Sequence, residues 1–196
     1  MIQKSASLTT IPLQFTTLEH KLETLHQEKL YRPVVVNVVY KLPYAYASPG
    51  APIKFLAAKS AKAWINDQQE SWNFPQEGIE YGETIEEAFE RGLMEELRIT
   101  RASYEISTGE DLILHYEELD APSSRKDKRG FSKGKAYFFC AAQMIDLKYN
   151  IIPNPSELLE AEWFKPEDLA FKFLETRQER ASMSLTVLKK ILQKLR

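Results

Sequence analysis

The stretch Phe74-Pro-Gln-Glu-Gly-Ile-Glu-Tyr-Gly-Glu-Thr-Ile-Glu-Glu-Ala-Phe-Glu-Arg-Gly-Leu-Met-Glu-Glu-Leu-Arg-Ile99 carries most of the information in this chain. Pro75, Gly78 and Gly82 punctuate its first third and predict an ordered loop over 74–82. Thr84-Ile85-Glu86-Glu87 is a capping-box pattern, so a helix is expected to open there and run to about Leu97. A helix turns about 100° per residue, which places positions 92, 95 and 96 within one arc of about that width. Adjacent Glu95 and Glu96 repel each other unless they are solvated or neutralised by a cation. Paired carboxylate oxygens suit Mg²⁺ or Mn²⁺, ions that bridge to substrate phosphates. A solvated acidic face is the plainer alternative.

Working outward, Pro33–Leu42 is dense in β-branched residues and reads as a buried strand, and Ile53–Lys59 as a second strand that forms a hairpin with it. The segment 44–52 between them is a turn. Short strands are expected at 104–107 and 112–117, and an aromatic strand at 135–144. A short helix starts at Lys165-Pro166, and an amphipathic helix closes the chain over 180–195. Upstream, Leu18, Leu22, Leu25 and Leu30 predict an amphipathic helix over 17–30, outside the main core, preceded by a loose arm. Strands interleave with helices and no repeat occurs, which gives an α/β chain. Its expected parts are an N-terminal arm and helix, 1–32, and one domain, 33–196.

Composition narrows the function. The chain has 196 residues, 28% of them charged, and a net charge of −2, so nucleic-acid binding would need a local patch. A single cysteine, Cys140, rules out an internal disulfide and any multi-cysteine metal site. It reads as a small core residue. No run is long enough to span a membrane, and no basic segment followed by an apolar one opens the chain, so a cytoplasmic protein is expected. His20 and His26 read as a surface pair and His115 as a strand residue.

With these residues in view, the 74–99 stretch resembles the Nudix hydrolases. Their box reads Gly, five residues, Glu, seven residues, Arg-Glu, aliphatic, any residue, Glu-Glu, any residue, Gly, aliphatic. Glu83, Arg91, Leu93, Glu95, Glu96 and Ile99 hold matching positions, and Gly78, Ile79 and Gly82 match the loop before the box. The resemblance implies an α/β/α sandwich with a mixed sheet and, here, extra terminal helices. It implies that Glu95 and Glu96 bind the metal, Mg²⁺ or Mn²⁺. It further implies that Arg91 holds Glu83 in a structural ion pair and that Gly78 and Gly82 shape the loop. Three positions depart from the box: Glu77 replaces its first glycine, Arg98 its last, and Gly92 the glutamate that follows the arginine.

Glu157, six residues before Trp163, and the phrase Phe74-Pro75-Gln76 are similar to the Nudix branch that hydrolyses dinucleoside polyphosphates and RNA 5′ ends. By that resemblance Glu157 supplies a ligand or a general base, with Glu160 and Glu162 as rivals. The basic segment 123–135 offers Arg129, Lys133 and Lys135 to a polyphosphate, with Phe131 free to stack on a base. The expected activity is divalent-metal-dependent hydrolysis of a phosphoanhydride bond. Candidate substrates are a dinucleoside polyphosphate, an RNA 5′ end, and a nucleoside triphosphate or diphosphate sugar. RNA and a second copy of the chain, as a homodimer, are the further partners this implies. Gly92 motivates the alternative, a Nudix-fold module that binds nucleotide or RNA without turnover. A protein–protein role for the terminal helices is a third reading.

Overall fold

The computed structural model describes residues 18–43, 52–61, 72–107, 113–118, 130–131, 133–174 and 178–194. The loose arm, the turn after the first strand and the segment 121–129 with Arg129 lie outside them. The element order is α1 (Leu18–Glu28), β1 (Tyr31–Lys41), β2 (Lys54–Ser60), β3 (Trp72–Asn73), β4 (Gln76–Gly78) and α2 (Ile85–Leu97). A single 3-10 turn, Arg101–Ser103, leads to β5 (Tyr104–Ile106), β6 (Ile113–Glu118), β7 (Gly134–Met144), β8 (Leu158–Phe164), α3 (Pro166–Leu174) and α4 (Gln178–Lys194).

The valine-rich segment forms the spine. β1 and β7 run parallel over ten paired positions, from Tyr31–Gly134 to Tyr40–Gln143. Every other pairing is antiparallel, so the sheet is mixed. Alternation along β1 feeds two cores. Val35 and Val39 pack with Phe89, Leu93 and Leu97 of α2, while Val34, Val36 and Val38 pack with Leu169 and Phe173 of α3 and with Val187 and Leu188 of α4. This is an α/β/α sandwich with helices on both faces. Among the described residues, no helix is long and apolar enough to cross a membrane.

One edge of β1 is divided between two partners. β4 takes Val34–Val36 and β2 takes Tyr40–Lys41. Between them, the Asn37 amide donates to the Pro75 carbonyl at 2.8 Å. The loop expected over 74–82 therefore contains a strand, because its backbone finds the free half of that edge. β8 was not legible as a strand. It carries Glu160 and Glu162 and becomes one by pairing with β2 from Phe55–Phe164 to Ser60–Leu158.

Helix α1 lies within the core, contrary to its expected place outside it. Leu22 and Leu25 join Val35, Leu56 and Leu158 in the α2-side cluster. His26, expected at the surface, is buried edge-on between Tyr81 and Phe131, with ring centroids 5.7 and 6.2 Å away. Phe131 is itself buried and lies beneath the Lys29 ammonium at 4.5 Å. It is a core side chain, not a stacking platform for a base. Cys140 is fully buried, as expected. Truncating Leu25→Ala is expected to cost about 2–5 kcal/mol, the scale of a buried leucine. Urea denaturation measures it; a loss under about 0.5 kcal/mol, typical of a surface position, would return α1 to the periphery.

Candidate active site

Helix α2 opens on the capping box expected of it. Thr84 Oγ1 accepts the Glu87 amide at 3.1 Å, and the Glu87 carboxylate accepts the Thr84 amide at 2.8 Å. Ahead of it, Gly82 has φ +82°, a left-handed turn that glycine adopts without a Cβ clash. At Gly78 the Arg32 guanidinium, the end of a long flexible side chain, lies where a Cβ would stand.

Arg91 ties the loop to the helix. Its Nε and Nη2 donate to the two Glu83 oxygens at 2.8 and 2.9 Å, and Nη2 also donates to the Gly78 carbonyl at 2.8 Å. Nη1 faces Glu77 Oε1 at 3.3 Å and Glu95 Oε2 at 3.9 Å. A bidentate fork of this kind fixes orientation as well as charge. The Glu83 pair above all holds the guanidinium firmly protonated. Partial burial alone would raise the Glu83 pKa. The Arg91 hydrogen bonds, the Glu80 amide and the Arg91 charge outweigh it, and the net shift is downward.

The two acids of the expected metal pair differ in environment. Glu96 is 7% exposed and lies on the buried face of α2 with Phe89, Gly92 and Leu93. The Glu95 side chain is 59% exposed. Both stand in the last turn of α2, which carries no basic residue. That end of a helix has the negative end of the dipole, a poor place for carboxylates and a favourable one for a cation. The helix closes with Arg98 in the left-handed region at φ 58°, its amide bonded to the Leu93 and Met94 carbonyls. The Tyr149 hydroxyl donates to the Arg98 carbonyl.

A loop between β7 and β8 docks on this end of α2. The Asn154 amide donates to the Glu96 carbonyl at 2.7 Å and Ile152 to the Leu97 carbonyl at 3.2 Å, while Asn154 Nδ2 reaches the Glu95 carbonyl at 3.3 Å. Glu157 sits in the turn that ends this loop, its amide on the Asn154 carbonyl at 2.9 Å. Of its rivals, Glu160 pairs with Lys59 at 3.1 Å. Trp163, on the same strand, lies 4.3 Å beneath the Lys41 ammonium. Among the described residues, no three His, Cys, Asp or Glu side chains stand close enough to hold an ion by themselves. Glu157 thus shares the Asn154 loop with Glu95 and Glu96 without forming a ready-made cluster with them.

The basic candidates lie farther off. Lys135 pairs with Arg32 in the β1–β7 register and the Lys133 amide donates to the Leu30 carbonyl. Lys135 is thus five strand residues from the level of Asn37, about 16 Å at the usual rise. By backbone position both lysines belong to the Gly78 end of the site.

Asn37 escaped the sequence reading, although a polar residue inside a run of valines and a tyrosine was a signal. It is 0% exposed, on the α2 side of β1, and neither its Oδ1 nor its Nδ2 has a hydrogen-bond partner. A buried carboxylate, a second one beside it and an unsatisfied amide suit a hard divalent cation. Such an ion completes its shell with water and phosphate oxygens when protein supplies only one or two carboxylates.

A loop, a capped glutamate-bearing helix and a mixed sheet in this arrangement define a domain of the Nudix type. The Nudix domain model matches residues 49–185, and this chain belongs to that family of hydrolases, whose members use divalent cations. Among similar solved structures, the C. elegans Ap4A hydrolase binary complex is 19% identical with a TM-score of 0.56, over 83% of this chain and 97% of that one. The E. coli dihydroneopterin triphosphate pyrophosphohydrolase is 14% identical with a TM-score of 0.56, over 82% and 96%. The Nudix domain of Shewanella oneidensis NrtR with ADP ribose is 15% identical with a TM-score of 0.54, over 85% and 89%.

Because the Glu83 pKa is lowered by folding, its contribution to stability is complete above the ordinary carboxylate value of 4.5 and is lost as pH falls through the folded value. Wild type is therefore expected to lose more stability than Glu83→Gln between pH 5 and pH 3, read from urea midpoints. Parallel curves would show that the Arg91 clasp adds nothing to the acid limb.

Proposed function

We propose that this chain hydrolyses a phosphoanhydride bond in a nucleotide derivative with a divalent cation, Mg²⁺ or Mn²⁺, held by Glu95 and Glu96. The observation that carries the reading is that pair in the last turn of α2, one acid buried and one exposed, beside the Arg91–Glu83 clasp. When bound, the cation neutralises phosphate oxygens and makes water a better nucleophile. Arg91 keeps Glu83 and the Gly78 carbonyl in place, so the loop walls the substrate cleft. Glu157 takes a proton from the attacking water as a general base, positioned by the loop that Asn154 pins to α2. Lys133, Lys135 and Arg129 meet the far phosphates or the nucleotide chain.

Phe74-Pro75-Gln76 and Glu157 favour a dinucleoside polyphosphate first, then an RNA 5′ end, then a nucleoside triphosphate or diphosphate sugar. The Ap4A hydrolase and the ADP-ribose-binding NrtR domain are folds of this shape that take nucleotide derivatives. The reading includes residues 33–196 as the working domain, a cytoplasmic setting, and a homodimer as the second-copy partner. One observation favours a second reading, nucleotide or RNA binding without turnover: position 92, on the buried face of α2, has no carboxylate.

The test is a panel of dinucleoside polyphosphates, 5′-triphosphorylated RNA, nucleoside triphosphates and ADP ribose, with Mg²⁺ and Mn²⁺. Wild type is expected to release phosphate or nucleotide, and Glu96→Gln to slow it about 100-fold or more, the scale of removing one charge-stabilising group. Nucleotide binding with no product from any substrate would establish the second reading instead.

A further inference from the structure

Three lysines line up where β1 ends. Lys41, its last residue, pairs with Lys54, the first residue of β2. Phe55 pairs with Tyr40 on one side and Phe164 on the other, so β2 lies between β1 and β8. One step beyond Phe164, Lys165 follows β8 at the level of Lys54. Neighbouring strands lie about 4.8 Å apart, so the row spans about 10 Å. Alternation places Lys41 and Lys54 on the α2 side of the sheet, because Val39 and Leu56 belong to that core and Tyr40 and Phe55 to the other. The Lys41 ammonium reaches over β2 to Trp163 of β8, 4.3 Å from its ring centroid.

Like charges directly opposite each other on a sheet are unfavourable. Among the described residues, no acid forms an ion pair with Lys41, Lys54 or Lys165. The sequence joining β1 to β2, 42–53, contains no Asp or Glu. Glu162 alternates to the face opposite Trp163, and Glu160 pairs with Lys59. Glu167 and Asp168 stand in the first turn of α3, where the helix dipole favours acids. Burial, and after it the Lys54 charge, holds the Lys41 pKa below the ordinary lysine value. The Trp163 ring covers one side of the Lys41 ammonium, which has three N–H donors and keeps some for a second partner. The row is separate from the candidate active site. Asn37, whose Nδ2 lies 3.0 Å from where a Gly92 Cβ would stand, is four residues back along β1, about 13 Å at the usual rise.

We propose that Lys41, Lys54 and Lys165 form an anion site that holds consecutive phosphates of a linear polyphosphate chain. An ammonium binds phosphate as a point charge, and a row of three suits a chain of phosphates better than a single one. The chain is either a free polyphosphate or the far end of the substrate's own phosphate chain. This site does not rest on the reading of Glu95 and Glu96 as the cation site.

The test is titration of the full chain with inorganic tripolyphosphate by calorimetry, without metal and at low salt, with thermal unfolding alongside. Wild type is expected to bind it, and Lys54→Gln to weaken binding about 10-fold, the scale of one hydrogen bond to a charged group. Without ligand, Lys54→Gln is expected to raise the melting temperature by about 1–3 °C, because it relieves the repulsion with Lys41. A residue kept for structure would shift it the other way. Unchanged affinity in Lys54→Gln, or no binding by wild type, would overturn the site. Should Lys54→Gln fail to fold, the exposed Lys165→Gln decides by the same criterion. With a dinucleoside polyphosphate and Mg²⁺, a KM raised about 10-fold in Lys54→Gln identifies the substrate's chain as the ligand. An unchanged KM beside weakened tripolyphosphate binding identifies a free polyphosphate. Because uptake is read without metal or turnover, a chain that binds through these lysines yet hydrolyses nothing upholds this site while the hydrolytic reading fails.

Discussion

The site depends on the Arg91 guanidinium. One planar group holds Glu83 by two hydrogen bonds, takes the Gly78 carbonyl, and faces Glu77 and Glu95. It thereby joins the loop, strand β4 and helix α2 by polar contacts, beside the apolar packing of Ile79 against Ile85, Phe89 and Leu93. The five donors of arginine in a fixed planar fork suit this task, whereas a lysine ammonium, a compact point charge, lacks the two-point geometry that matches a carboxylate. Once the clasp sets the loop on the helix, the remaining acids are confined to one edge of α2.

That confinement raises an electrostatic demand. Glu95 and Glu96 stand at the carboxyl end of the helix, where main-chain carbonyls already concentrate negative charge. Glu96 adds to that charge from the buried face of the helix. On the proposed function, a hard cation bound there would offset that negative charge.

Much of this was legible in the chain because it is local. The capping box, the Glu83–Arg91 spacing and the Glu95–Glu96 pair lie within one loop and one helix, where sequence spacing translates directly into geometry. The β1 spine and β7 were equally open, since valine and aromatic runs leave little choice. The parts that stayed hidden depend on a partner across the sheet. β4 is a strand because half an edge of β1 is open to it, and β8 because β2 pairs with it despite its acids. Phe131, set among charges in the sequence, is drawn inward by His26 and Lys29, residues about a hundred positions earlier. The closeness of Glu77 to Gly92 belongs to the same group: fifteen positions separate them along the chain, yet a Cβ at position 92 would lie 2.8 Å from that of Glu77.

The docking of the β7–β8 loop on α2 has an outcome for how such a protein can change over generations. Two of its four bonds run from main-chain amides, those of Ile152 and Asn154, to main-chain carbonyls, those of Leu97 and Glu96. Side chains at those positions can be replaced without releasing the join. The seam that carries Glu157 toward the helix is thus insulated from drift, in keeping with a fold retained among structures that share under a fifth of their residues with this one.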